Sequence, residues 1–165
     1  MEITIEQETI FNPVTGEKLL VLESTEEVFR MGFSIDPHSE IAGEHIHPFQ
    51  QQSVQVTAGE LHCRIDGVTS VLRAGDSATI PAGARHFQSN PTSAEARAIE
   101  EYHPAGRIHN FFRVLFKLAQ EGKTNRKGVP NPLIGAALMA EFKDTVRVPS
   151  PGYRLLFGLL APVSS

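Results

Sequence analysis

The sequence predicts an all-β fold, a sandwich or barrel of short strands, followed by a short α-helical extension. Three observations carry this expectation. Up to about residue 102, apolar and polar residues alternate in short runs, the period of a strand buried on one face. Turn signals punctuate those runs: Asn12-Pro13, Thr15-Gly16, Ala58-Gly59, Asp66-Gly67, Ala74-Gly75 and Pro81-Ala82-Gly83. Beyond His103-Pro104-Ala105-Gly106 the period changes to that of a helix.

The elements follow in order. Residues 2–11 alternate, with Ile3 and Ile5 against Thr4 and Glu6. Residues 18–23 form a second strand. Residues 27–36 form a third, with Phe29, Met31, Phe33 and Ile35 on one face. Residues 34–43 read as a loop. Strands are then expected over 53–57, 60–65, 68–72, 77–80, 84–88 and 94–102, and the Asp66-Gly67 pair marks a tight hairpin. Strands at this spacing argue against alternating β and α units. Residues 108–120 carry apolar side chains at 108, 111, 112, 115, 116 and 118–119, which is helical spacing, and Glu121-Gly122 ends the run. A basic, turn-rich loop (122–132) precedes a second helix over 133–142, with Pro132 in its first turn. A short apolar tail covers 153–160. The expected division is a barrel over 1–104 and a helical extension over 105–165, packed on the barrel or across a homodimer interface. The alternative for the extension is a membrane-surface or pocket-gating role, given Lys123, Arg126 and Lys127.

Composition narrows the function classes. The chain has 165 residues, of which 41% are hydrophobic and 21% charged, which fits one globular unit with a small appendage. A formal net charge of -4 and a pI near 6.0 argue against nucleic-acid binding. Cys63 has no partner for an internal disulfide, which fits a reducing, cytoplasmic setting. The acidic, alternating start is unlike a signal peptide, and no run of about 18 apolar residues suggests a membrane span.

The chemistry concentrates in two blocks, residues 43–59 and 75–90. His45 and His47 are two residues apart, so on a strand both rings face the same side. Gln52 has the wrong parity for the same unbroken strand, and Pro48 supplies a bend that lets it start the next one. His86 arrives from another strand. Three imidazoles suit a divalent transition metal (Zn, Ni, Fe, Mn or Co) and leave coordination positions open.

Here the sequence resembles the cupin superfamily over about residues 30–103. Its second motif, G-x5-P-x-G-x2-H-x3-N, is matched at Gly75, Pro81, Gly83, His86 and Asn90. Its first, G-x5-H-x-H-x(3,4)-E-x6-G, is matched at His45, His47 and Gly59, with Gln52 where Glu is usual and the leading glycine displaced to Gly43. The resemblance implies a jelly-roll β-barrel holding a metal through His45, His47, His86 and position 52. Gln is neutral, so the site loses a carboxylate that could act as ligand or base, although the amide carbonyl can still ligate.

Phe33, Phe49, Val54, Val56, Cys63 and Phe87 are candidate pocket residues, each against the plainer reading of barrel core. His103 lies near the barrel mouth. His62 faces outward by parity, and Arg30 reads as a solvated or ion-paired residue. Glu100 and Glu101 read as surface charges, with the alternative that one of them stands at the pocket in place of the missing carboxylate. The expected function is a metal-dependent enzyme on a small organic ligand, dioxygenase-like by resemblance, or else an isomerase or lyase. The alternative is a non-catalytic binding or sensor module.

Overall fold

The computed structural model describes residues 7–149. Ile3, Ile5 and the 153–160 tail therefore lie outside the described residues. Two antiparallel sheets face each other, giving the expected jelly-roll. One has six strands in the order β1 (Thr9–Phe11), β2 (Lys18–Ser24), β3 (Phe29–Ile35), β10 (Ala96–His103), β5 (Gln51–Ala58) and β8 (Ser77–Ile80). The other has four, in the order β4 (Ser39–Ile46), β9 (Arg85–Asn90), β6 (Glu60–Ile65) and β7 (Val68–Arg73). Alternation decides what faces inward. In β3, Phe29, Met31, Phe33 and Ile35 are buried; in β5, Gln52, Val54 and Val56; in β10, Ala96, Ala98, Glu100 and Tyr102.

The structure corrects the loop expected over 34–43. His38, with a φ of 56°, turns the chain, and β4 starts at Ser39. Its polar composition hid it, because a ladder forms from backbone N–H and C=O groups and needs no apolar side chains at a sheet edge. Pairing with β9 runs Ile41↔Gln88 and then His45↔His86, so β4 spends four residues where β9 spends two. Gly43, with a φ of 71°, lies within this bulge. The irregularity sets His45 directly across from His86.

The extension is tied to the barrel. Helix α1 (Ile108–Gln120) buries Ile108, Phe111, Leu115, Phe116 and Ala119, a single stripe at helical spacing. Phe29 of β3 stacks on His109 at 4.9 Å between ring centres and lies 6.4 Å from Phe112 and 6.2 Å from Tyr102. Glu8 accepts from both Arg113 and His109, fixing the helix to the start of the barrel. Helix α2 (Pro132–Glu141) is capped by Asn131, whose Oδ1 accepts from the Ile134 amide at 3.0 Å. The chain then returns to the open edge of β4, where Ile46 and Arg147 exchange backbone hydrogen bonds at 2.8 and 2.9 Å. One apolar cluster runs through barrel and helices alike. Among the described residues, no helix is long and apolar enough to cross a membrane.

Phe29 is fully buried where β3, β10 and α1 meet. Phe29→Ala is expected to cost about 3–5 kcal/mol in urea unfolding. Val68→Lys, on a side chain that is 70% exposed at the β7 edge, is expected to stay within about 0.5 kcal/mol.

Candidate metal centre

His45, His47 and His86 converge, with one ring nitrogen from each lying within 4.8 Å of the others. Ring centres are 4.2 Å apart for His45 and His86, 4.9 Å for His45 and His47, and 5.1 Å for His47 and His86. Each Nδ1 meets a backbone carbonyl: Gly43 at 3.0 Å for His45, Thr145 at 2.8 Å for His47 and Ala84 at 3.1 Å for His86. A carbonyl only accepts, so each Nδ1 carries the proton and each Nε2 presents a lone pair. The Nε2 atoms of His47 and His86 are buried without a partner. An orphaned buried nitrogen is costly unless something binds it, and a divalent metal fits this donor set.

Burial favours the neutral form of the rings. Desolvation lowers the pKa of His45, and it holds that of His47 well below the ordinary range, with further repulsion from the neighbouring imidazoles. His86 is brought down to about 3, chiefly by desolvation and then by His45. Neutral imidazole is the form that ligates.

Gln52, at the start of β5, is buried beside these rings, and its Oε1 has no hydrogen-bond partner. The same side chain is among the groups that lower the Glu100 pKa, and a free amide carbonyl oxygen can only accept or ligate. Glu100 departs from the surface placement expected for it. It is only 2% exposed, on the inward face of β10 with Ala98 and Tyr102. Gln88 Nε2 donates to it at 2.7 Å and the Tyr102 hydroxyl at 3.0 Å. Burial raises its pKa, against the pull of these donors.

The centre opens into a cavity of about 770 Å³. His45, His47, Gln52, Gln88, Glu100, Tyr102 and Glu17 are among its polar lining residues, with Glu40, Glu44, Arg85 and Lys127, while Leu19, Met31, Phe33, Phe111, Phe112, Leu115, Phe116 and Leu138 belong to its apolar wall. Glu17 went unnoticed in the sequence, although it shares the inward parity of Leu19. It is 4% exposed, and burial, with repulsion from Glu100, pushes it up to about 7.

The other candidates separate. Phe33 lines the cavity. Val54, Val56 and Cys63 pack in the core, where burial pushes the thiol up to about 11, away from nucleophile chemistry. Phe87 is half-buried on the outward parity of β9. Phe49 is 60% exposed in the bend between His47 and Gln52, beside Arg147. His103 is exposed, its Nδ1 2.7 Å from the Glu27 carbonyl. His62 pairs with Glu60, and Arg30 pairs with Glu23 and Glu101. Thr145 is the contributor sequence reading missed: its role lies in a backbone oxygen, which no side-chain pattern encodes.

Residues 32–102 match the family model described as Cupin domain. Protein SchB of Streptomyces halstedii is 36% identical over 69 residues, covering 42% of this chain and 50% of that protein. The polyketide synthase CurC of Streptomyces cyaneus is 36% identical over 74 residues, covering 45% of this chain and 48% of that protein. The matched stretch thus spans about half the length of these curated relatives. An RmlC-like cupin from Shewanella frigidimarina superposes with a TM-score of 0.56 at 27% identity, covering 66% of this chain and 94% of that one.

The tautomers give a measurable consequence. Three ordinary histidines would release about two protons on binding a divalent metal at pH 6. Because all three pKa values are lowered here, the rings hold fewer protons to displace at that pH. Calorimetric titration of the metal-free protein with zinc in buffers of different ionisation enthalpy should show clearly fewer protons released at pH 6 than three ordinary histidines would give, and His86→Ala should abolish stoichiometric uptake.

Proposed function

Starting from a chain that carries a cupin domain, we propose that it is a metal-dependent enzyme acting on an uncharged small organic molecule held in the barrel. The substrate class that fits is polyketide-like: apolar rings or chain bearing ketone and hydroxyl oxygens. The observation that supports this most is the junction of two surfaces in one cavity, unpartnered imidazole nitrogens at one end and aromatic and aliphatic walls from β3 and α1 at the other. The name of the relative CurC points the same way.

His45, His47 and His86 would hold the metal, with the Gln52 carbonyl as fourth ligand. A metal so held supplies Lewis acidity toward a chelating substrate oxygen or, with a redox-active metal, reactivity toward dioxygen. The chain's own residues do the rest. The backbone carbonyls of Gly43, Thr145 and Ala84 fix the rings. Gln52 adds no negative charge, so the centre stays more electrophilic than one with Glu at that position. Phe111, Phe112, Leu115 and Phe116 exclude water and bind rings. The buried carboxyls give an anion no cationic partner, and the cations on the lining, Arg85 and Lys127, are exposed. That disfavours phosphate or carboxylate substrates. The non-catalytic binding module remains a second reading because Gln52 removes the usual carboxylate from the first motif.

The test is turnover of a panel of diketones and flavonols by protein loaded with iron, nickel or zinc, followed by oxygen uptake and product analysis. Turnover is expected, falling by more than about 100-fold in His86→Ala, beyond the usual cost of losing an outer hydrogen-bond partner. Saturable binding without turnover for every metal would establish the binding module instead.

A further inference from the structure

Among the described residues two carboxylic acids, Glu17 and Glu100, are buried inside the barrel, and they are not equivalent. Glu100 accepts from two donors, Gln88 and Tyr102. Glu17 does not. Its one side-chain partner among the described residues is Thr15, whose hydroxyl donates to Oε2 at 2.6 Å. Among the described residues the charged group acting on it is Glu100. The carboxyl is nine-tenths buried and lines the cavity. Burying an acid with a single hydrogen bond is expensive, and this protein uses local structure to keep it there.

That local structure is the turn before β2. Asn12 Oδ1 accepts from the Val14 and Thr15 amides, Asn12 N donates to the Glu17 carbonyl at 2.9 Å, and Gly16 N donates to the Asn12 carbonyl at 3.0 Å. Gly16 has a φ of 75°, and a Cβ there would collide with the Asp36 carboxylate. The turn thus fixes the backbone on both sides of Glu17, and Thr15 fixes one carboxyl oxygen. The other oxygen is left to the cavity. Glu17 lies close enough to Glu100 and Tyr102 to act on both, and the Tyr102 ring is 5.3 Å from that of His47. It therefore shares the cavity with the metal centre without belonging to it.

We propose that Glu17 is a substrate-binding residue whose free carboxyl oxygen receives a hydroxyl group of an uncharged, ring-bearing substrate, on a part of the substrate other than the oxygens presented to the His45/His47/His86 centre. This selects substrates with a hydroxyl remote from the chelating oxygens. With its pKa near neutrality, the same carboxyl serves as acceptor or donor. The inference rests on the reading of the cavity as the substrate site.

Two flavonols test it. Galangin and quercetin carry the same chelating hydroxyl-ketone pair, and quercetin adds two hydroxyls on the distant ring. Binding of each to the zinc-loaded protein is measured by fluorescence quenching. The expected result is about tenfold tighter binding of quercetin, a preference abolished in Glu17→Leu, partly kept in Glu17→Gln, and accompanied by unchanged affinity for galangin, which also reports that the variants are folded. An unchanged preference in Glu17→Leu, equal weakening of both flavonols in both variants, or no preference in the wild type would overturn the role of Glu17 alone. Failure of the wild type to bind either flavonol would overturn the substrate-cavity reading and this inference with it.

Discussion

The hydrogen bond from His47 Nδ1 to the Thr145 carbonyl joins parts of the chain 98 residues apart, and the centre depends on it. It fixes the tautomer of a buried ring, and so decides which nitrogen faces the other two histidines. It also requires the chain after α2 to return along β4, where the Ile46–Arg147 bridge holds it in register. The barrel places the histidines, and the extension completes the orientation of one of them. The same helices form much of the apolar wall of the cavity. Folding of the extension and assembly of the site are thereby coupled.

Polarity inside the barrel is divided by partner rather than by residue type. The ring nitrogens of His47 and His86 and the carbonyl oxygen of Gln52 are buried and unsatisfied. Glu100 accepts from Gln88 and Tyr102. A carboxyl is thus absent from position 52 and present on the neighbouring strand β10, where Glu100 is buried on the wall of the same cavity.

The histidines were legible because their spacing carries geometry: i and i+2 on one strand, and a third in a Gly- and Pro-punctuated block. Helix α1 was legible from its apolar stripe, and β3 from strict alternation. Three features were less so. Strand β4 was hidden by polar residues at a sheet edge, where pairing rests on backbone groups. Glu100 reads as a surface charge because acidic residues are usually solvated, with the pocket as the alternative; the parity of Ala96, Ala98 and Tyr102 points inward through position 100, and the alternative is where the residue lies. Glu17 sits one residue before the strand that was expected, inside a turn, so its parity went uncounted. Phe49 shows the reverse error: an aromatic residue between two ligand positions suggested a pocket wall, but the bend after Pro48 turns it to solvent.

In the proposed centre one metal is held by the Nε2 atoms of His45, His47 and His86 and the Oε1 atom of Gln52. Anomalous diffraction at the absorption edge of the loaded metal locates it. A single strong peak is expected at about 2.0–2.2 Å from all four atoms, with each Nδ1 still on its backbone carbonyl. A peak bound through Nδ1, a peak lodged between Glu17 and Glu100, or no peak in protein saturated with metal would contradict it.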